Sequence, residues 1–154
     1  MAELSELYNA KIMALAAAIT PAARLPQPDA TATAHSKLCG STINVDVMVR
    51  DGVVTAYGQS VKACLLGQAA ASVMGREIIG TSAEELRAVG ASMRGMLKGT
   101  GSIPAGRWAD LAVLAPVRDV KARHASTLLV FDAVEKALDQ IEQVPADATT
   151  VAVP

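Results

Sequence analysis

A strict alternation of apolar residues that runs into Asp-Gly constrains this fold more than any other feature. Residues 43–50 alternate with a period of two, which is typical of a strand with one buried face. Asp51-Gly52 follows at once and β-favouring residues resume over 53–62, so the pattern predicts a tight hairpin. A Thr-rich segment over 30–37 predicts a third strand, with Thr31, Thr33 and His35 on one face. Three adjacent antiparallel strands need a helical layer to cover them.

Helical periodicity elsewhere in the chain supplies that layer. Apolar residues recur at helical spacing over 4–19, 65–74, 86–97 and 126–141. Pro21 ends the first segment, and Thr81-Ser82 followed by Glu84 and Glu85 predicts a capping box that opens the third. Residues 98–106 are rich in glycine and predict a loop. We therefore expect an α+β fold: a small three-stranded antiparallel sheet covered by about four to five helices.

Length and periodicity together predict one domain. The chain has 154 residues, of which 51% are hydrophobic, enough to bury a core without disulfide or metal support. No internal repeat or domain boundary is visible. From position 143 the sequence is small, proline-containing and aperiodic, so we expect a single domain over 1–142 and a flexible tail over 143–154.

Composition also disfavours two classes of partner. Only 3% of the residues are aromatic and the net charge is -1, so neither nucleic acid nor an anionic membrane is expected to bind. An apolar run over 12–18 is too short to span a membrane, and Glu3 and Glu6 before it have the wrong sign for a secretory leader. We expect a cytoplasmic protein.

The few soft ligands in the chain lie in connections between elements. Two cysteines and two histidines exclude a Cys-rich zinc framework and a multi-disulfide scaffold. Cys39 precedes Gly40 in a predicted turn, and Cys64 lies where the last strand ends and a helix begins, a position whose dipole favours the thiolate. His124 directly precedes the last predicted helix. Cysteine and histidine are the ligands that zinc and iron–sulfur clusters prefer.

Each of these residues also has an ordinary structural interpretation. Cys64 lies between Ala63 and Leu65 and is equally well explained as a core residue, whereas the polar glycine turn around Cys39 favours a function. A lone histidine such as His124 is more often hydrogen-bonded or exposed than a ligand. The sequence holds no Cys-x-x-Cys pair, so spacing alone leaves a metal site and buried thiols both open.

Local strings around these residues resemble a known family. They are Leu38-Cys39-Gly40, then Ala63-Cys64 followed by Gln68-Ala69-Ala70-Ala71-Ser72-Val73-Met74, and Val120-Lys121-Ala122-Arg123-His124-Ala125-Ser126-Thr127-Leu128. In this order they resemble the U-type iron–sulfur assembly scaffolds IscU, NifU and SufU, over about 4–138. Residues 98–116 are similar to an extra segment of the SufU branch.

Two positions depart from that family. Ala125 stands where the family has its third cysteine, and Ser41 stands where it has an aspartate. The resemblance implies Cys39, Cys64 and His124 as ligands of a metal ion or cluster, with one tetrahedral position left for water, a sulfur species or a partner side chain. Because Ala125 cannot accept sulfur, the resemblance leaves Cys39 or Cys64 as the persulfide acceptor.

The resemblance thus implies an iron–sulfur cluster assembly protein rather than an enzyme. Its cofactor would be a transient iron–sulfur cluster or zinc. Its partners would be a cysteine desulfurase and downstream cluster acceptors or carriers, and its oligomeric state would be a monomer or weak homo-oligomer. One alternative is a zinc-assisted sulfur acceptor for the desulfurase. Another, motivated by Ser41 and Ala125, is a degenerate interaction or regulatory module without a working metal site. A thiol hydrolase is less favoured, because no oxyanion loop or third catalytic member is visible.

Overall fold

Four helices and three strands are present in the computed structural model, which describes residues 9–20, 23–37, 40–101 and 103–152, with side chains through Glu142. Their bounds are α1 (Ala10–Ala17), β1 (Ala30–His35), β2 (Thr42–Arg50), β3 (Val53–Lys62), α2 (Leu65–Glu77), α3 (Ala83–Lys98) and α4 (His124–Ala152). Two 3₁₀ segments, η1 (Gly106–Asp119) and η2 (Lys121–Arg123), join α3 to α4. The predicted α+β class is confirmed.

The strands form one antiparallel sheet in the order β1-β2-β3. Asp51 and Gly52 connect β2 to β3 with φ of 56° and 77°, the positive values that a tight hairpin turn of this type requires. The predicted hairpin is thus confirmed. In the strand register, His35 pairs with Thr42 and Thr42 pairs with Lys62. Strands β1 and β3 therefore finish at the same end of the sheet, and β2 begins there.

One face of the sheet is buried beneath the helices. Helix α4 packs on β1 and β2, and α2 packs on β3, on α4 and on α1. The inward residues of β1 and β2 are almost fully buried, namely Ala30, Ala32, Ala34, Ile43, Val45 and Val47. Thr31, Thr33 and His35 lie together on the other face, as the sequence predicts, and are exposed. The core therefore lies between this face and α2 and α4.

Helix α1 begins later than its apolar spacing predicts. Asn9 has an extended backbone, with ψ of 171°, and its side-chain oxygen accepts a 2.9 Å hydrogen bond from the amide of Ile12. An asparagine in this geometry is a helix N-cap, so α1 starts at Ala10. Leu4 and Tyr8, the first members of the predicted pattern, lie outside the described residues.

Helix α3 matches its predicted start and its predicted buried face. The Ser82 hydroxyl accepts a 3.1 Å hydrogen bond from the amide of Glu85, and Gly99 ends the helix in the left-handed region. The four predicted inward residues are all buried: Leu86, Val89, Met93 and Leu97. The predicted helix start at Ser82 is confirmed, although the Glu85 carboxylate accepts hydrogen bonds from Trp108 and Arg107 rather than closing a capping box.

Helix α4 is longer than its apolar pattern. The predicted helix ends near Ile141, whereas the backbone of α4 continues through Ala152. A single domain over 1–142 with a flexible tail over 143–154 stays a prediction. No helix in the described part of the chain is long and apolar enough to cross a membrane.

A buried carboxylate ties the segment after α1 to the other face of the sheet. Asp46 is 1% exposed and accepts hydrogen bonds from Arg24 Nε at 2.6 Å, from the Leu25 amide at 3.0 Å and from Thr31 Oγ1 at 2.6 Å. Burial alone would raise the pKa of Asp46, but the bonds from Arg24, Thr31 and Leu25 outweigh it and lower this pKa. Asp46 therefore stays ionised at neutral pH and holds residues 24–25 in place.

Strand β1 lies at an edge of the sheet, and α4 reaches that edge. The Lys136 ammonium of α4 donates a 3.2 Å hydrogen bond to the backbone carbonyl of Thr33. A charged side chain thus lies against the edge strand.

Candidate functional site

Two of the connections that carry predicted site residues lie at one end of the sheet. The turn between β1 and β2 leaves after His35 and returns at Thr42, and the junction between β3 and α2 follows Lys62, which pairs with Thr42. Cys39 belongs to the first connection in sequence but lies outside the described residues. Cys64 belongs to the second and is described in full.

Cys64 is the N-cap residue of α2 and is half-buried. Its carbonyl accepts the 2.9 Å hydrogen bond from the Gln68 amide that opens the helix, and its side chain makes no capping bond. The thiol is thereby left for a tertiary contact: Cys64 Sγ donates to the hydroxyl of Ser126 across 3.4 Å. The thiol therefore joins the start of α2 to the start of α4.

Close backbone packing holds these two helix starts together. A Cβ atom on Gly67 would lie 3.0 Å from the carbonyl oxygen of Ser126 and 2.9 Å from the Ala63 side chain. Real Cβ atoms are rarely this close to backbone, so glycine is what allows α2 to lie against α4 at this point. The contact between Cys64 and Ser126 is thus fixed by the packing of the helices.

Ser126 is a residue of this site that the sequence patterns do not single out. It is fully buried, and its hydroxyl donates a 3.2 Å hydrogen bond to the carbonyl of Arg123. The neighbouring Thr127 hydroxyl donates to the same carbonyl at 2.7 Å. The available signal is the Ser-Thr pair directly after His124-Ala125, since hydroxyl side chains in a first helical turn commonly bond nearby backbone.

His124 is the first residue of α4, and its ring is oriented by η1. Its Nε2 lies 2.9 Å from the carbonyl oxygen of Val117 and 3.1 Å from that of Arg118. Because carbonyl oxygens only accept, Nε2 must carry the proton, and in the neutral ring the lone pair is on Nδ1. Histidines that ligate metals commonly donate their other ring N–H to a carbonyl in this way. The ring is thus suited to bind a metal through Nδ1.

The β1–β2 turn brings backbone and a buried serine to the same end of the sheet. The Ser36 amide donates to the Ser41 carbonyl at 2.9 Å, and the Gly40 amide donates to the Ser36 carbonyl at 2.8 Å. Gly40 has φ of 72°, a backbone conformation that favours glycine, and Ser41 is 3% exposed. Ser41 is therefore a buried part of this turn. Ala125 is exposed and has no group that could ligate a metal.

The predicted set of metal ligands includes a residue that lies outside the described part of the chain. Within the described ranges, no three cysteine, histidine, aspartate or glutamate side chains are grouped so that they could hold a metal ion. Cys64 and His124 are both described, and Cys39 is the third member of the predicted set. The set Cys39, Cys64 and His124 stays a prediction, and so does the role of either thiol in accepting sulfur.

Positive charge is left unneutralised around this end of the molecule. Away from it, the arginines form ion pairs with carboxylates, such as Arg94 with Asp132 at 2.6 Å. Four cations in or directly beside the connections that carry Cys39, Cys64 and His124 have no ion pair among the described residues: Lys37, Lys62, Lys121 and Arg123. These connections therefore carry a local positive charge in a chain whose net charge is close to zero.

Comparison with known proteins identifies relatives of this chain. No family model matches the chain. The crystal structure of the N-terminal part of a nitrogen-fixing NifU-like protein from Brucella abortus is 53% identical in sequence, with a TM-score of 0.89, over 91% of this chain and 97% of that one. The iron–sulfur cluster assembly scaffold protein IscU of Thermotoga maritima is 27% identical over 117 residues, which are 75% of this chain and 82% of that protein.

A more distant structure shares the fold alone. The crystal structure of a protein assigned as a cluster assembly scaffold of the SUF system, from Fervidobacterium islandicum, has a TM-score of 0.79 and 17% identity, over 88% of this chain and 99% of that one. Fold and site together define a class: a small α+β protein that presents a thiol and an imidazole from two adjoining helix starts. Given the identity to the Brucella protein, the chain belongs to the NifU/IscU-like scaffold family. The predicted family is confirmed.

Proposed function

We propose that this protein is an iron–sulfur cluster assembly scaffold that binds a metal ion or nascent cluster, or accepts sulfur from a cysteine desulfurase, through Cys39 and Cys64. The observation that carries the proposal is the contact of the Cys64 thiol with the start of α4, the helix that begins at His124. The Cys64 thiol thereby lies against the first turn of the helix whose first residue is His124. The relatives from Thermotoga and Brucella, named as IscU scaffold and NifU-like protein, support the same function.

The proposed ligands have chemically distinct roles. Cys39 and Cys64 supply thiolate sulfur, and His124 supplies Nδ1 of a ring whose Nε2–H is held by the carbonyls of Val117 and Arg118. Three ligands leave one tetrahedral position for the incoming sulfur, a water molecule or a partner side chain. The metal or cluster is cargo that arrives and leaves, so an accessible position suits the task.

Sulfur acceptance needs no external oxidant. The thiolate of Cys64 or Cys39 attacks the terminal sulfur of a persulfide on the desulfurase, and a new S–S bond forms as the old one breaks. The donor cysteine departs as a thiolate, so one sulfane sulfur is transferred and electrons balance.

The first experiment measures metal and sulfide in protein purified without oxygen. We expect a near-stoichiometric metal or cluster in the wild type and its loss in Cys64→Ala, Cys39→Ala and His124→Ala. His35→Ala is the matched control, because His35 is an exposed histidine bonded to Thr42 on the open face of the sheet. Metal that survives the cysteine substitutions would contradict the proposed ligands.

The second experiment separates sulfur acceptance from metal binding. Desulfurase turnover is measured with and without the protein, and sulfur added to each cysteine is located by mass spectrometry of tryptic peptides. The two thiols fall in different peptides, residues 38–50 and 63–76, because lysines precede both. Faster turnover and a persulfide on either peptide would support a role as sulfur acceptor. If both effects are absent, the role is restricted to metal or cluster binding.

A second candidate function is an interaction module without a working metal site. It is favoured by the exposed methyl group of Ala125 and by Ser41, two positions that carry no strong metal ligand. This candidate predicts purified protein free of metal, with a melting temperature that a chelator does not change, because structural metal normally contributes folding energy.

A further inference from the structure

We propose that Ser126 is a positioning residue for the Cys64 sulfur and becomes its hydrogen-bond donor when that sulfur binds metal or carries transferred sulfur. The inference rests on the proposed function, and it starts from the 3.4 Å contact between the two side chains. Ser126 is fully buried on the first turn of α4, whereas Cys64 is half-buried at the N-cap of α2. The hydroxyl therefore approaches the sulfur from the protein side and leaves the solvent side open to cargo.

The direction of this hydrogen bond must reverse when the sulfur is loaded. In the structure, the Cys64 thiol donates a hydrogen bond to Ser126 Oγ. A metal-bound thiolate carries no proton and can only accept a hydrogen bond. The Ser126 hydroxyl then serves as the donor. Only the hydrogen has to rotate about the Cβ–Oγ bond, and both heavy atoms keep their places.

A second hydroxyl removes the cost of that reversal. In the thiol form, Ser126 donates to the Arg123 carbonyl at 3.2 Å, and that bond is lost when the hydroxyl turns towards the sulfur. Thr127 donates to the same carbonyl at 2.7 Å and remains in place. Because the carbonyl keeps a partner, the reversal leaves no backbone acceptor without a hydrogen bond.

The helix packing keeps Ser126 at the required distance. Gly67 of α2 lies so close to the Ser126 carbonyl that a Cβ atom would be only 3.0 Å away. The two helix starts are held at this separation, which keeps the backbone of Ser126 close enough for its hydroxyl to reach the Cys64 sulfur. Ser126 thus acts through Cys64 and need not touch the cargo.

The test uses cobalt(II) as a spectroscopic probe in the full-length protein. Ser126→Ala is expected to weaken cobalt binding by about tenfold, the scale of losing a partner of a metal ligand. It is also expected to move the sulfur-to-cobalt charge-transfer band to longer wavelength, because a thiolate without its donor gives up electrons more readily. Thr127→Val is the matched variant for the band: it leaves the Ser126 donor on the sulfur in place and is expected to leave the band unmoved, although cobalt binding weakens because the Arg123 carbonyl loses its second partner.

A second pair of variants provides the same test in case Ser126→Ala has a folding defect. If Ser126→Ala does not fold, Ser126→Thr and Ser126→Val are compared, because these side chains have nearly the same shape and differ in the hydroxyl. The Thr variant is expected to keep the wild-type band and the Val variant to shift it. An unmoved band and unchanged affinity in the variants without a hydroxyl, or an equal shift in Thr127→Val, would overturn the role of Ser126.

Failure of the proposed function gives a different result. If the wild type binds no cobalt, the metal-binding part of the proposed function fails, and Ser126 is tested on the metal-free thiol. Alkylation of Cys64 by iodoacetamide, followed in its own tryptic peptide, is expected to slow by about threefold or more in Ser126→Ala, the effect of losing one hydrogen bond to the attacking sulfur. An unchanged rate would refute the positioning role independently of any metal.

Discussion

A carboxylate almost without contact to water persists on the open face of the sheet because four donors surround it. Two guanidinium nitrogens of Arg24, the Leu25 amide and the Thr31 hydroxyl all point at Asp46. Their hydrogen bonds hold the pKa of Asp46 below its usual value in spite of burial. One side chain thereby fixes the segment after α1 and the first strand to each other.

Asp46→Asn is expected to lower the free energy of unfolding by about 1.5–3 kcal/mol at pH 7, the scale of charge-assisted hydrogen bonds. Because folding lowers the pKa, the contribution of ionised Asp46 is complete above about pH 5 and is lost as pH falls through the folded-state pKa. Denaturant unfolding at several pH values should therefore show the variant and the wild type converging in acid. Asp132→Asn is the control and should cost little, because the ion pair with Arg94 is only partly buried and Arg94 keeps its second ion pair with Glu135.

The site itself could be predicted from sequence in part. Cys64 at a helix start and His124 at another follow from local patterns, and both lie where those patterns place them. The hydrogen bond to Ser126 joins positions 62 residues apart and exists because Gly67 lets α2 approach α4. Periodicity within one segment carries no information about such an approach.

At the scale of the element, α2 is hemmed in by glycine as much as by its apolar residues. A Cβ on Gly75 would clash with the Thr20 carbonyl oxygen and would lie 2.9 Å from the Gln59 amide nitrogen. Gln59 is itself buried and bonded to Tyr57 and to the Ala71 carbonyl. The backbone after α1 therefore lies directly on α2 at this position.

Gly75→Ala is expected to destabilise the protein by about 2 kcal/mol or more, because the clash involves backbone that is packed on both sides. Alanine is otherwise the better helix former, so the sign of the effect is informative. Gly90→Ala in α3 is the matched control, since its Cβ would meet the movable carboxylate of Glu135. Thermal unfolding of both variants checks this; equal stability of the two would contradict the packing described for Gly75.

The 3₁₀ segment η1 shows why part of the fold escapes pattern analysis. Its buried residues are spaced by three, namely Trp108, Leu111, Leu114 and Val117. This matches three residues per turn of a 3₁₀ helix and neither the helical period of 3.6 nor the strand period of two. Neither a helix nor a strand is therefore predicted here, although the three-residue spacing is itself a usable signal.

Leu111→Ala is expected to cost about 2–5 kcal/mol of unfolding free energy, because Leu111 is fully buried in the core. Val113→Ala, two residues along the same segment and half-buried, should cost less than about 1.5 kcal/mol. Chemical denaturation measures both. Similar losses at the two positions would mean that η1 does not pack with the three-residue spacing described above.

At the scale of the whole molecule, the sheet followed from the sequence most directly. The alternation over 43–50 and the Asp51-Gly52 turn are local features that the antiparallel pairing preserves. The start of α1 differs from the prediction because Asn9 caps this helix. The length of α4 differs because its helical backbone continues beyond the last residue of the apolar pattern. Local hydrogen bonds thus set ends that apolar spacing does not mark.

Zinc is expected to stabilise the whole fold, because a metal that binds only the native state adds to its stability. At free zinc about 100 times the dissociation constant, the gain is about 2.7 kcal/mol, or roughly 5–10 °C in melting temperature for a chain of this size. Calorimetry should show this rise in the wild type and in His35→Ala and its absence in Cys64→Ala. A rise of equal size in Cys64→Ala would place the metal elsewhere.

The lysine at the edge of the sheet has a consequence for how this protein behaves at high concentration. An edge strand invites another chain to add a strand of its own, and repeated addition leads to fibrils. With the Lys136 ammonium on the Thr33 carbonyl, an incoming strand must first displace a charged, hydrated group from β1. Strand β1 is therefore a poor template for uncontrolled polymerisation of the protein.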